Sequence, residues 1–305
     1  MTGPVAALLP DGKRLHLQHG PIDLIVEADG SAEIVGRAYA QAAARFETVL
    51  DELVGELPLL RSRATTEGLG LRGPVARRME AAVAPHASRV FITPMAAVAG
   101  AVADEVLAAM TDGLDLDRAY VNNGGDIALH LSGDSRFEIG LVAVPDRPEL
   151  SGSATIRADD CVRGIATSGR HGRSLSLGIA DAVTVLARTA AEADAAATLI
   201  ANAVDLPGHP AIRRVPASER APDSDLGNRL VTEDVGSLAD AEIAAALEAG
   251  EATTRAMIDR GVVIAAVLQL RGAIRQAGDL AIAAQPDTPI FAPTQRKQPE
   301  ETLRA

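Results

Sequence analysis

Three predicted strands near the middle of the chain follow one another with only tight glycine-containing turns between them. They cover residues 119–122, 127–132 and 136–144, and the two turns contain an Asn-Gly and a Ser-Gly pair. Parallel strands need a crossover of a dozen or more residues, so strands joined this closely pair antiparallel. We therefore predict an α+β fold with mainly antiparallel or mixed sheets flanked by helices.

Hydrophobic periodicity divides most of the remaining sequence into helices and strands. The predicted helices cover residues 31–54, 74–83, 93–110, 190–204 and 239–260, and the further strands cover residues 14–18, 22–27, 89–92, 153–157, 162–167, 182–188 and 262–270. Residues 206–236 lack such a pattern, which predicts a long loop that serves as a lid or a binding loop or is locally disordered. Residues 1–280 are predicted to form a single domain, and the proline-rich residues 281–305 a disordered tail.

The composition restricts both the core and the partners of the chain. Hydrophobic residues make up 47% of the sequence but aromatic residues only 2%, so the core must be aliphatic and few rings can stack on bases. The formal net charge of −12 repels polyphosphate backbones, which excludes nucleic acid as a general partner. A small phosphorylated or carboxylated ligand is compatible with this charge, because a bound cation and nearby arginines act locally.

The sequence also bears on the compartment of the protein. Its single cysteine, Cys161, cannot form an internal disulfide. The first residues lack a basic segment followed by an apolar run, so we predict a cytoplasmic location. The most apolar helix, Met95–Met110, contains Asp104 and Glu105 and is predicted to be too short and too charged to span a membrane. Nothing in the sequence specifies an oligomeric state.

The segment Asn122–Asp126 contains two consecutive glycines directly after a predicted strand. Glycines let a backbone approach a ligand closely and expose amide groups to anions. An Asn-Gly pair is equally typical of a simple hairpin turn. The segment therefore predicts either a ligand cradle or a turn without a further role.

The segment Thr167–Ser174 places hydroxyl groups, two arginines and a histidine between two strands. Arg170 and Arg173 are candidates for gripping a phosphate or carboxylate, since the guanidinium group donates in pairs. His171 is a candidate acid or base. These three residues are the catalytic candidates, and a solvated loop is the alternative.

Asp194 and Thr198 lie four residues apart on a predicted helix and therefore project from one face. A carboxylate and a hydroxyl are hard oxygen donors, which suit Mg²⁺ bound together with phosphates. Acids and threonines also occur at this spacing by chance, so a helix surface without a metal is the alternative.

The order of five segments resembles the ApbE superfamily, whose best-known members are FAD:protein FMN transferases. The family has A-K-G-x-x-x-D on a helix, followed by V-N-x-G-G-D-I, T-S-G, V-T-V-x-A and A-D-x-x-x-T. The corresponding segments here are residues 98–104, 121–127, 167–169, 183–187 and 193–198. The sequence is most similar to a short uncharacterised bacterial and archaeal branch, in which S-G-R and G-I-A-D-A-V-T-V are continuous.

The resemblance implies an architecture related to the T-fold, with a cleft for FAD and Mg²⁺. Asp194 and Thr198 would hold Mg²⁺, assisted by a backbone carbonyl near Val98. The flavin nucleotide would contact Gly100, Asp104, Asn123, Gly124, Gly125, Asp126, Thr167 and Ser168. The implied chemistry is attack on the FAD pyrophosphate, with transfer of FMN to an acceptor protein.

Two departures from the family pattern keep other functions open. Ala99 replaces the family lysine, and the compact segment 170–181 replaces a longer stretch that contains a histidine and D-P-x-T-G. A flavin-binding protein without transferase activity is therefore one alternative. A metabolic enzyme that uses the same cleft for another phosphorylated or carboxylated molecule is a second, and a scaffolding role is the last.

Overall fold

The computed structural model describes residues 3–144, 147–278 and 282–283 and has an α+β fold. The helices are α1 Ala32–Leu60, α2 Pro74–Val83, α3 Val98–Thr111, α4 Ala190–Ala203, α5 Ala217–Arg220 and α6 Asp240–Asp259. The strands are β1 Val5–Leu8, β2 Leu15–His19, β3 Ile22–Asp29, β4 Arg118–Asn123, β5 Asp126–Leu131, β6 Arg136–Val144, β7 Arg147–Arg157, β8 Gly164–Ser168, β9 Ala182–Ala187, β10 Ile212–Pro216, β11 Leu230–Val235, β12 Ala265–Leu270, β13 Ala273–Gly278 and β14 Ile282–Ala283.

Nine strands form one large sheet in the order β1-β2-β3-β4-β5-β8-β9-β12-β13. Every neighbouring pair in this sheet is antiparallel, which confirms the pairing predicted from the tight turns. A three-stranded sheet contains β14, β7 and β6, and β10 pairs with β11 alone. The predicted fold class, α+β with antiparallel sheets and flanking helices, is therefore confirmed.

The long helices and one face of the large sheet enclose an aliphatic core. Helix α3 contacts α1, α2 and α4 as well as strands β4 and β5, which places it near the centre of this layer. Much of the packing involves alanine and valine, and Phe46 is the one phenylalanine in this core cluster. A second apolar cluster, which includes Tyr120, Leu129 and Ile156, lies among β4, β5 and the β6–β7 hairpin. Small side chains let α3 and α4 approach each other closely.

Several predicted boundaries match the structure and others do not. Helix α2 has the predicted bounds, 74–83, and Thr189 caps α4 by accepting a hydrogen bond from Glu192 N at 3.2 Å. Helix α1 continues past the predicted end to Leu60, with Pro58 in its last turn. The strand predicted over 89–92 was wrong, because Arg89 N and Val90 N bond to the carbonyl of His86 and close a turn.

The predicted long loop over 206–236 was also wrong, since most of it is the β10–β11 hairpin with α5 between the strands. Thr232 N donates to Ser176 O at 2.8 Å, so the hairpin is fastened to the segment that precedes β9. Local composition cannot reveal such a distant partner. The predicted tail over 281–305 lies outside the described residues apart from Ile282 and Ala283, which pair with β7.

The stretch Pro94–Thr111 passes a length and hydropathy test for a membrane span, contrary to the prediction that its charges exclude one. In the fold, half of this stretch is buried, and α3 packs against neighbouring helices and the sheet. A core helix of a globular protein passes the same test, so the result is weak evidence for a membrane span.

Candidate functional site

The first turns of α3 and α4 face each other, and each helix supplies an aspartate that caps the other. Asp194 on α4 accepts hydrogen bonds from the α3 amides of Gly100, at 3.1 Å, and Ala99. Asp104 on α3 accepts from Ala190 N at 3.0 Å and Ala191 N at 2.9 Å, at the start of α4. The first amides of a helix lack partners within the helix and attract negative charge, so both carboxylates are well placed.

Glycine at position 100 is required by this close approach of the two helices. A Cβ atom at Gly100 would overlap the backbone carbonyl of Ala190, and one at Gly164 on β8 would overlap that of Thr189. The start of α4 therefore lies between two glycines. The structure gives Gly100 and Asp104 contacts that join α3 to α4, while their predicted contact with a flavin nucleotide stays a prediction.

Asp126 and Asp194 form the most strongly perturbed pair of acids in this region. Burial raises the pKa of Asp126 to about 7, although the amide of Thr167, at 3.3 Å, and the Arg173 charge act in the opposite direction. Burial and the nearby Asp126 carboxylate hold the pKa of Asp194 well above its usual range. Two neighbouring carboxylates without a full counter-charge are a donor set that a divalent cation would stabilise.

The β4–β5 connection is a two-residue turn made by Gly124 and Gly125, with φ values of +67° and +111°. Gly125 N donates to Asn122 Oδ1 at 2.8 Å, which closes the turn. The Asn123 side chain donates to Ala99 O at 3.1 Å and so ties the end of β4 to the first turn of α3. The predicted hairpin turn is thus confirmed, while a ligand-binding role of its glycines stays a prediction. The turn lies next to the first turn of α3.

The three catalytic candidates, Arg170, His171 and Arg173, lie between β8 and β9 and have different partners. Arg170 donates to Asp181 Oδ1 from Nε at 2.9 Å, and His171 Nε2 lies 3.3 Å from the same oxygen. Arg173 instead lies over the β4–β5 turn, because a Cβ atom at Gly124 would overlap its Nη2. The structure therefore brings Arg173 to Gly124 and Asp126 but engages Arg170 and His171 elsewhere.

The remaining predicted residues lie on β8, α3 and α4. Thr167 and Ser168 end β8, where Thr167 Oγ1 lies 2.9 Å from Thr184 Oγ1 on β9. Val98 is the first residue of α3, directly before the two amides that reach Asp194. Thr198 lies one turn after Asp194 on α4 and is partly buried.

A divalent cation fits this donor set in its chemistry. Asp194 and Asp126 offer carboxylate oxygens and Thr198 offers a hydroxyl, which are the oxygen ligands that Mg²⁺ prefers. Among the described residues, three or more His, Cys, Asp or Glu side chains do not converge as a metal cluster. A cation here would therefore share its coordination with a ligand's phosphates or with water.

Sequence reasoning missed Asp181, which organises the segment after β8. Its carboxylate accepts hydrogen bonds from the Arg170 side chain and from the Arg271 amide at 2.5 Å, and it lies 3.3 Å from His171 Nε2. The Asp181 side chain is only 12% exposed. Asp181 belongs to the continuous segment Gly178–Val185 that carried the resemblance. The sequence signal that could have identified it is an acid within this mostly apolar segment, eight residues after Arg173.

Comparison with known proteins places the chain among uncharacterised relatives. The family described as "AbpE bacteria" matches residues 6–276. The UPF0280 protein of Methanothrix thermoacetophila is 37% identical over 161 residues, which are 52% of this chain and 64% of that protein. The UPF0280 protein of Methanopyrus kandleri is 35% identical over 181 residues, covering 59% of this chain and 69% of the relative. The matches thus span about two thirds of these relatives.

Solved structures give a more distant likeness. The apo form of the flavinyl transferase ApbE from Pseudomonas stutzeri has 11% identity and a TM-score of 0.44, covering 91% of this chain and 95% of that one. The apbe protein from Thermotoga maritima has 14% identity and a TM-score of 0.36, covering 82% and 77%. At these values the likeness supports no statement about ligands or activity. The family match over residues 6–276, in contrast, shows that the chain belongs to the AbpE bacteria family, the assignment that the five ordered segments predicted.

Proposed function

We propose that this protein binds a flavin nucleotide together with Mg²⁺ and transfers FMN from FAD to an acceptor protein. The site is the cleft bordered by the β4–β5 turn, the end of β8 and the first turns of α3 and α4. The observation that carries the proposal is the pair Asp126 and Asp194, in which the Asp126 carboxylate raises the pKa of the buried Asp194 beside a glycine turn and an arginine. Family membership and the five ordered segments support a flavin nucleotide as the ligand.

The residues of the chain have distinct roles in this proposal. Asp194, Thr198 and Asp126 would hold the cation, which when bound stabilises negative charge on pyrophosphate oxygens. The Gly124-Gly125 turn lets the backbone approach the nucleotide. Thr167 and Ser168 lie at the end of β8, the strand that pairs with β5. Transfer forms a bond between an acceptor oxygen and the FMN phosphorus and breaks the phosphorus–oxygen bond to AMP. The acceptor's proton is released to water, because His171 in the segment after β8 is paired with Asp181.

The test is incubation of the purified protein with FAD and Mg²⁺, with and without a panel of acceptor peptides, followed by chromatography of AMP. We expect AMP release and a flavin-labelled peptide for the wild type and loss of both for Asp194→Asn. Asp234→Asn is the matched control, because Asp234 is exposed on β11. Wild-type protein that binds FAD but releases no AMP with any acceptor contradicts the transferase.

A flavin-binding protein without transferase activity is the second candidate, and two observations favour it. Ala99 replaces the family lysine, and both Arg170 and His171 are engaged by Asp181. Calorimetry with FAD and FMN distinguishes this candidate. Flavin binding that Asp194→Ala weakens, without AMP release, supports this candidate. If neither FAD nor FMN binds, both flavin proposals are contradicted.

The cytoplasmic location predicted from the sequence stays a prediction.

A further inference from the structure

The segment between β8 and β9 is held at two places, and at the first its start is bonded to its own last residues. There, Arg170 N donates to Ala180 O at 2.9 Å, and the Arg170 side chain pairs with Asp181 at 2.7 Å. Asp181 is held in turn by the Arg271 amide at the β12–β13 connection. Because Asp181 is largely buried, these bonds are shielded from water and hold the start of the segment firmly.

The second place lies at Ser176 and Leu177, which contact helix α4 and the β10–β11 hairpin. Leu177 N donates to Asn202 Oδ1 on α4 at 2.9 Å, and the carbonyl of Ser176 accepts from Thr232 on the β10–β11 hairpin. Arg214, also on that hairpin, donates to Leu177 O. The short stretch between these two anchors contains Arg173, so the fold presents this arginine at a defined place.

Arg173 differs from Arg170, the other arginine of its segment, in its surroundings. Within the described part of the chain, its guanidinium forms no ion pair within 4.0 Å, whereas Arg170 pairs with Asp181. It lies over Gly124, where any side chain would overlap it, and close enough to Asp126 for its charge to act on that carboxylate. The side chain of Arg173 is exposed to solvent and can therefore reach a bound molecule.

We propose that Arg173 binds the phosphate group of the ligand and makes the cleft selective for phosphorylated over unphosphorylated flavins. This inference rests on the proposed flavin site and identifies the group of the ligand that the site recognises. A guanidinium held over a glycine turn can donate two hydrogen bonds to one phosphate. Gly124 leaves room for this guanidinium, and the anchors on both sides hold the backbone that carries Arg173.

The experiment compares FMN with riboflavin, which carry the same ring system but differ in the phosphate. Calorimetric titrations in the presence of Mg²⁺ would use the wild type, Arg173→Leu and Arg173→Lys. We expect Arg173→Leu to weaken FMN binding by about tenfold to a hundredfold and to leave riboflavin binding unchanged. Arg173→Lys, which keeps the charge but not the paired donors, should lie between the two.

Arg213→Leu is the matched control, because Arg213 is an exposed arginine on β10 that pairs with Glu233. We expect it to bind FMN like the wild type. Thermal denaturation should show that Arg173→Leu remains folded, with a midpoint close to that of the wild type, since Arg173 is exposed and the substitution removes only its charge near Asp126. Equal FMN affinity of Arg173→Leu and the wild type, or an equal loss for riboflavin, would overturn the inference.

Titration with inorganic pyrophosphate separates this inference from the proposed function. If the wild type binds neither FMN nor FAD, the flavin proposal fails. Pyrophosphate binding that Arg173→Leu weakens would still support Arg173 as the phosphate contact. If the wild type does not bind pyrophosphate, or Arg173→Leu binds it equally well, the inference fails even where FAD binds.

Discussion

Asp104 and Asp194 occupy nearly equivalent positions, yet their surroundings differ. Each accepts two amide hydrogen bonds from the first turn of the partner helix. Burial raises the pKa of Asp104 to about 6, but its two amides and the charge of Arg78 offset part of the burial. The Glu192 carboxylate raises the pKa of Asp104 further, whereas the pKa of Asp194 is raised by two carboxylates, first Asp126 and then Asp104.

Their unlike surroundings indicate which of the two caps belongs to a ligand site. The Asp104 cap joins α3 to α4 and has the charge of Arg78 as a partial counter-charge. A capping carboxylate beside another carboxylate carries negative charge that the described residues do not neutralise. Perturbed acids of this kind concentrate at functional sites, because binding of a cation or ligand supplies the missing charge.

The largest effect is expected where the two helices touch. Gly100→Ala should lower the free energy of unfolding by at least about 3 kcal/mol, because its Cβ overlaps backbone atoms that cannot rotate away. Gly36→Ala is the control, since Gly36 lies in α1 with open space around it, and it should stabilise the protein by about 0.5–1 kcal/mol. Urea unfolding measures both. Equal effects of the two substitutions would contradict the close packing of α3 on α4.

The two caps themselves should differ in the next experiment. Asp104→Ala should lower the free energy of unfolding by about 2 kcal/mol, because two amides lose their acceptor. Asp194→Ala also removes acceptors but relieves the repulsion with Asp126, so its loss should be smaller, about 1 kcal/mol. The same urea experiment compares them. A loss for Asp194→Ala as large as that for Asp104→Ala would make Asp194 a structural cap only.

These contrasts show where prediction from the sequence ends. The glycine pair at 124–125 was sufficient to predict the antiparallel turn, while the site assigned to Asp194 and Thr198 stays a prediction. The sequence could not show that Asp104 caps α4, because the partner amides of Ala190 and Ala191 are more than eighty residues away. The hairpin over 206–236 was missed for the same reason, since its contacts with Ser176 and Leu177 are long-range.

A smaller effect is expected from the pH dependence of Asp126. Its pKa in the folded protein, about 7, lies above the ordinary 3.8, so its neutral form favours folding below about pH 4 and this contribution is lost as the pH rises through 7. Asp126→Asn keeps an acceptor for Thr167 N and cannot ionise. It should equal the wild type at pH 4 and exceed it by roughly 1 kcal/mol at pH 8.

Thermal denaturation of both proteins across this pH range, without divalent cations, makes the comparison. The partial exposure of Asp126 and the charge of Arg173 are the reasons for expecting a modest difference. A wild type that is more stable than Asp126→Asn at pH 8 would show that the Asp126 carboxylate is already neutralised within the fold.

We propose that Asp194 contributes to a divalent-cation site and that Asp104 does not. The most direct measurement is the shift of the thermal midpoint on addition of Mg²⁺ at pH 8, for the wild type, Asp194→Asn and Asp104→Asn. A cation that binds only the folded protein raises its midpoint. We predict that Mg²⁺ raises the midpoint of the wild type and Asp104→Asn but not that of Asp194→Asn. Equal shifts for all three proteins, or no shift for the wild type, would contradict the claim.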